Sequence, residues 1–373
     1  MTLAGTTKHA STEHGCKLHA RFPRGKPARE ERDCLSRWLW QKRAVLAYFF
    51  HDFSPYIIRI SGGFGLHWYG LAYVLSFLLG GWLYQWLAKH KYTDLPVAQV
   101  SDFICWSAVF GVMIGGRLGW IIFYGLHQDH AQDPWYWPLE VWKGGMASHG
   151  GIIGLVLFTL YWSRTRRVSW TSIGDSLVVV APIGLFLVRM ANFINGELYG
   201  KPATVAWAVQ FPKELIEKAT PEMLAQAHDA LAPFRDKIPD DGSWVDWVVE
   251  AIPDHHELIG PLRSVLTPRH PSQIYEALLE GVVLFTSLWI LRTCCRVPRG
   301  VITGAFFILY AVLRIVGEMF REPDPAWHIG PIWGIGPISA GQFLSIFLVF
   351  VGVVFIAWGY RTKEYERALT PEK

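Results

Sequence analysis

VRMANFINGELYG, residues Val188 to Gly200, closes an apolar run that begins at Ser176. One arginine, two asparagines and a glutamate (Arg189, Asn192, Asn195 and Glu197) therefore stand at the end of a membrane-length apolar segment, with glycines at Gly196 and Gly200. An ionisable group there costs several kcal/mol unless it faces protein or water, so by default it marks a site. The rest of the chain reads as scaffolding around it.

Composition agrees with a membrane protein. Of 373 residues, 51% are hydrophobic and only 18% charged, and 19 are tryptophan, which does not suit a soluble enzyme. The five cysteines give no disulfide framework: Cys16 and Cys34 lie in a polar tail, Cys105 in an apolar run, and Cys294 and Cys295 side by side in a basic loop. The net charge of +4 comes largely from the N-terminal tail and says little about partners.

Apolar stretches near the roughly 20 residues needed to cross the hydrocarbon core occur at Trp68 to Leu87, Phe103 to Phe123, Ile152 to Trp162, Ile173 to Ile194, Ile274 to Leu291, Val301 to Val316 and Ile338 to Trp358. The third is short. About seven transmembrane helices in an all-α polytopic membrane protein follow. Lys89 and Lys91 follow the first stretch, Arg164, Arg166 and Arg167 the third, Arg292, Arg296 and Arg299 the fifth, and Arg361, Lys363 and Arg367 the seventh. The alternate loops carry only Lys143 and Arg321. Lysine and arginine concentrate on the cytoplasmic side, so the C-terminus is expected inside and Lys201 to Pro271 outside.

The domain boundaries that follow are a basic, disordered extension over 1–47 without signal-peptide features, a membrane domain over 48–200, a periplasmic head over 201–271, further membrane helices over 272–361 and a cytoplasmic tail over 362–373. In the head, Thr220-Pro221 reads as a cap followed by proline at the first position of a short helix ending near Leu231.

Placed by depth, polar groups from several stretches converge on the outer leaflet. Arg189, Asn192, Asn195 and Glu197 end the fourth stretch; His149, followed by Gly150 and Gly151, starts the third; His67 and Tyr69 open the first. In the sixth, Tyr310, Arg314, Gly317, Glu318 and Arg321 follow helical spacing and form one polar stripe. Bland readings stand beside these. Arg314 and Glu318 suit a simple ion pair at i, i+4, a lone histidine is more often structural than catalytic, and Gly111, Gly115, Gly116 and Gly119 suit close helix packing. Asp102 and Asp175 suit caps at inner helix ends, and His255-His256-Glu257 lacks the second histidine of a zinc-protease helix. The joint arrangement is harder to dismiss, since paired guanidinium forks match phosphate oxygens beside a candidate base.

The chain resembles bacterial prolipoprotein diacylglyceryl transferases from about Tyr48 to Arg361. The resemblance rests on Arg189 to Gly200, on Leu66-His67-Trp68-Tyr69-Gly70, on Gly145-Met146-Ala147-Ser148-His149-Gly150-Gly151, on Arg269-His270-Pro271-Ser272-Gln273-Ile274-Tyr275-Glu276, and on Arg314 to Asp324. Val188 and Ala191 stand where the family usually has glycine. The resemblance implies an inner-membrane enzyme that moves the diacylglyceryl group of phosphatidylglycerol onto the lipobox cysteine of a preprolipoprotein signal peptide, forming a thioether and releasing glycerol phosphate.

That chemistry needs a group to take the thiol proton and cations to hold the departing phosphate. His149 is expected as the base, with Arg189 and Arg314 on the phosphate. Tyr69, Asn192, Asn195, Glu197, Gly150, Gly151, Tyr310, Glu318 and Arg321 are expected to bind or orient the lipid. No metal, nucleotide cofactor or nucleic-acid partner is indicated; the partners are the bilayer, phosphatidylglycerol and the peptide. The competing class is a secondary transporter for an anionic solute, but transporters usually carry repeats and midplane sites, and neither is visible here. The topology has a direct check: a reporter fused after Arg361 should read cytoplasmic and one inserted near Asp240 periplasmic. If both report one side, the helix count is off by one.

Overall fold

The computed structural model describes residues 48–366, except 62–63, 128–133, 135, 141–143, 240–241, 323–327 and 330–337. The basic extension over 1–47, Lys143, Asp324 and Arg367 lie outside the described residues. The long helices are Trp68–Lys89 (α1), Val97–Phe123 (α2), Ser148–Arg166 (α3) and Trp170–Ile194 (α4), then two in the head, Pro221–Ala230 (α5) and Trp244–Ala251 (α6). Ser272–Cys294 (α7), Val301–Glu318 (α8) and Ala340–Thr362 (α9) complete the bundle.

Among the described residues, six helices are long and apolar enough to span a bilayer: α1, α2, α4, α7, α8 and the Ser345–Thr362 part of α9. The chain is an all-α polytopic membrane protein. The short third stretch becomes α3, a 19-residue helix. Arg164 and Arg166 in its last turn keep it less apolar than the others.

Small residues let the helices approach closely, as bilayer packing favours. A Cβ on Gly115 would lie 2.9 Å from the Cα of Gly154, and one on Gly304 would lie 2.6 Å from the carbonyl oxygen of Gly352, so α2 meets α3 and α8 meets α9 nearly backbone to backbone. Two helices contain π-helical turns, Ser107–Ile114 in α2 and Ala277–Val283 in α7. Such turns recur at functional sites because the extra residue re-aims the side chains around it.

Phe49 and Phe50, before α1, belong to the head. Phe49–Phe50 (β1) pairs in parallel with Val209–Gln210 (β4), which pairs antiparallel with Pro268–Arg269 (β5); a hairpin of Tyr56–Ser61 (β2) and Phe64–His67 (β3) then leads into α1. Phe50, Leu215, Leu231, Val248 and Leu262 form the buried head core. Helix α5 starts where Thr220 Oγ1 accepts from Met223 N at 3.2 Å with Pro221 in the first turn, as the sequence pattern predicts. On the head, His256 is exposed and His255 half-buried.

At the opposite end of the bundle, fully buried Asp175 on α4 caps a neighbouring helix. Its Oδ2 accepts from Gly300 N at 2.8 Å, and its Oδ1 accepts from Thr303 N at 2.8 Å and Thr303 Oγ1 at 2.7 Å, which satisfies orphan donors at the start of α8. Asp102, expected in the same role, is exposed on α2 and caps nothing among the described residues. The basic loop beside α8 is itself paired: Arg299 Nη2 lies 2.7 Å from Asp94 and 3.1 Å from Glu366, while Arg292, 1% exposed, faces Glu366 at 3.6 Å. Burial pushes the Glu366 carboxyl up to about 7, against the pull of Arg292 and Arg299.

Candidate active site

At the head end, two carboxylates with no exposed surface sit between arginines from other segments. Glu276 ends the first turns of α7 and Glu280 falls in its π-helical segment. Arg189, near the end of α4, points Nε at Glu276 Oε2 (3.0 Å) and Nη2 at Glu280 Oε2 (3.2 Å). Arg314 on α8 places Nη1 2.7 Å from Glu276 Oε1 and 3.4 Å from Glu280 Oε1, and Nη2 2.8 Å from Glu318 Oε2. Arg321 Nη1 approaches Glu276 Oε1 at 3.8 Å. Three cations and three carboxylates thus balance within one cluster.

The expected i, i+4 pair of Arg314 with Glu318 is present but is one edge of this larger network. Its geometry leaves room for a ligand: among the described residues Arg189 Nη1 and Arg314 Nε have no hydrogen-bond partner. Arg189 and Arg314 keep 15% and 13% of their side-chain surface exposed, so those donors are not sealed in. Tyr310, one turn before Arg314, lies within electrostatic reach of Glu276, Glu280, Arg189 and Arg314.

Beside this cluster Asn192, 1% exposed, donates from Nδ2 to the Tyr69 hydroxyl of α1 and, at 2.8 Å, to Glu197 Oε1. Tyr69 lies within electrostatic reach of both Glu197 and Arg189, which joins this polar group to the arginines. Asn192 Oδ1 is buried without a partner, an unsatisfied acceptor that a ligand donor could meet.

The segment after Arg189 is held by the start of α7. Gln273 Nε2 donates to Glu197 O at 2.6 Å and Ser272 Oγ to Leu198 O at 2.9 Å. Gly200 N donates to His270 O at 2.9 Å and Lys201 N to Phe320 O at 2.9 Å, pinning the Arg189 to Gly200 signature to both flanking segments. Gly200 is required there: a Cβ would lie 2.5 Å from Phe320 O and 2.7 Å from His270 O. Buried Arg269 adds the head to the assembly, with Nη2 2.6 Å from Glu214 Oε1 and Nη1 3.0 Å from Glu322 Oε2.

The structure therefore brings Tyr69, Arg189, Asn192, Glu197, Tyr310, Arg314, Glu318 and Arg321 together, as the sequence predicts. His149, Gly150 and Gly151 make no hydrogen bond or ion pair to this cluster among the described residues. His149 is exposed at the start of α3, in an open pocket of about 300 Å³ lined by Trp120, Tyr124, Met146 and Ala147. Among the described residues no hydrogen bond or ion pair links it to the arginines. Gly150 packs under it against α2, where a Cβ would lie 3.0 Å from Gly119 N. Asn195 turns away too, lining a second pocket of about 200 Å³ with His51, Arg59, Lys213 and Asp246.

Glu276 and Glu280 are absent from the expected site residues, because they fall in a stretch that reads as apolar. Two carboxylates four residues apart inside a spanning segment are the signal for them.

The sequence profile of the family described as prolipoprotein diacylglyceryl transferase matches residues 55–358. A phosphatidylglycerol–prolipoprotein diacylglyceryl transferase of Bdellovibrio bacteriovorus is 38% identical over 339 residues, covering 83% of this chain and 93% of the relative. Proteins of the same name from Rhodospirillum rubrum (37% identical; 84% of this chain, 95% of the relative) and Coxiella burnetii (33%; 85% and 99%) are similar over the same extent. With the profile spanning most of the chain and such identity over nearly the whole length of these relatives, the chain belongs to the prolipoprotein diacylglyceryl transferase family.

Proposed function

We propose that this protein transfers the diacylglyceryl group of phosphatidylglycerol to the lipobox cysteine of a preprolipoprotein, in the outer leaflet of a bacterial inner membrane. The cysteine sulfur attacks the glycerol carbon that bears the phosphate. A carbon–sulfur bond forms, the carbon–oxygen bond to phosphate breaks, and glycerol phosphate leaves with that bonding pair. The thiol proton goes to His149. A thiol with an ordinary pKa near 8.5 is mostly protonated at neutrality, so a base is needed to expose the nucleophile.

The observation that carries this reading is the arginine pair around Glu276 and Glu280, with one unused donor on each guanidinium. Preorganised cations aimed at developing charge do their work without rearranging at the moment of reaction. The buried glutamates supply that preorganisation, Arg189 and Arg314 hold the phosphate, and Tyr69, Asn192 and Glu197 orient the glycerol end of the headgroup. Glu318, Tyr310 and Arg321 steady Arg314 and Glu276. Transport of an anionic solute has no comparable support, since these polar groups lie at one end of the bundle.

The assay incubates purified protein with phosphatidylglycerol and a lipobox peptide and follows the mass gain on cysteine. Arg189→Lys and Arg314→Lys should each lose most turnover, because lysine keeps the charge but offers no planar fork for carboxylate and phosphate together. Near-normal turnover in both would remove the bidentate picture. In the same assay, the activity ratio of wild type to His149→Asn should be large near neutrality and shrink between about pH 7 and 9, as more peptide thiol ionises unaided. A ratio that stays flat with pH would take His149 off the reaction path.

A further inference from the structure

Arg117 lies inside α2, 8% exposed, and every hydrogen bond it makes among the described residues goes to a backbone carbonyl. Nε donates to Pro138 O at 2.7 Å, Nη1 to Gly144 O at 2.7 Å and Gly145 O at 3.0 Å, and Nη2 to Trp137 O at 2.9 Å. The guanidinium stacks over Trp120 with its carbon 4.7 Å from the ring centre. A permanent charge at this depth is expensive, and here its donors fasten one loop to one helix.

That loop leads directly to His149. Gly145 has φ +81°, and a Cβ on it would lie 2.6 Å from Arg117 Nη1. Ala147 N then donates to Gly116 O at 2.9 Å, which ties the last residues before α3 to α2. Trp120, Tyr124, Met146 and Ala147, which wall the pocket around His149, are thereby set by Arg117 and its neighbours.

We infer that this pocket is the docking site of the acceptor peptide, the apolar segment that carries the reactive cysteine, and that Arg117 is its positioning residue. The inference rests on the transferase reading above. Its two substrates differ in charge, and the two sites differ in the same way. The arginine cluster has unused cationic donors, whereas the described residues lining the His149 pocket include no arginine or lysine, and the nearby Arg117 has its donors engaged by carbonyls. An anionic headgroup gains nothing there. An apolar, neutral segment does, because Tyr124 and Met146 are each 47% exposed and methionine adapts its shape to varied side chains. The pocket also holds His149, the imidazole that would face the incoming thiol.

The test varies peptide and phosphatidylglycerol separately with the full-length protein in nanodiscs. Tyr124→Ala and Met146→Ala should raise the peptide KM roughly tenfold or more, the scale of a lost apolar contact in a substrate pocket, and leave the lipid KM in place. Arg117→Lys should do the same, because a point charge cannot reach four carbonyls. A rise in lipid KM, in both constants, or in neither would overturn the assignment. A peptide with a photoreactive group beside its cysteine gives a readout that does not need turnover. Labelling at Tyr124 or Met146 supports the pocket even if no transfer occurs, in which case the transferase reading fails and the docking site stands. Transfer without labelling there overturns the docking site alone.

Discussion

Glu276 has no exposed surface, and a carboxylate in that position survives only with cations around it. It has three: Arg189 at 3.0 Å, Arg314 at 2.7 Å and Arg321 at 3.8 Å. They arrive from α4, from α8 and from the segment after α8, so one buried charge dictates how three parts of the chain meet. Removing a partner from such a pair costs about 3–5 kcal/mol, because the remaining charge stays buried without compensation. A hydrophobic replacement of the whole cluster could fold as well, so the cluster is better explained by what it holds in place than by stability alone.

The surrounding segments follow from that junction. Once α7 is fixed at Glu276, its first turn presents Ser272 and Gln273 to the carbonyls of Leu198 and Glu197, and the signature bends back under the site. Gly200 then lets the backbone at Phe320 and His270 close over it. Arg269 carries the same order into the head through Glu214. At the far end Asp175 plays a simpler part, capping α8 so that the helix bearing Arg314 starts at a defined place. Arg117 does for the loop before α3 what Glu276 does for the junction, with carbonyls in place of counter-charges.

Much of this is legible in the sequence, for a physical reason. Charged and polar residues are costly in apolar stretches, so Arg189, Asn192, Glu197 and Arg314 stand out, and helical spacing aligns Tyr310, Arg314, Glu318 and Arg321 along one stripe. The pairing of α2 with α3 is foreshadowed by Gly115 and Gly119. What the pattern hides is which partner each charge takes. Glu276 and Glu280 read as tolerated residues in the fifth apolar stretch, and nothing in their spacing says that two distant arginines will share them. That His149 makes no hydrogen bond or ion pair to the arginines among the described residues is likewise invisible, because depth places residues in a leaflet without saying which of them touch. The Ile152 to Trp162 stretch reads short because its helix runs on at both ends, from Ser148 to Arg166, through residues that are not apolar.

The proposed division of labour gives the phosphate to the charge-balanced junction and the neutral peptide to the aromatic pocket, both at the head end of one bundle. Its central claim is that Glu276 works through the arginines it orders. Equilibrium binding of phosphatidylglycerol to Arg189→Gln, Glu276→Gln and the double variant measures that coupling. Each single change should weaken binding, and the double variant should lose less than the sum of the two, by a coupling energy of about 1 kcal/mol or more. Strictly additive losses would mean that Glu276 and Arg189 act independently, which would contradict the ordering role given to Glu276.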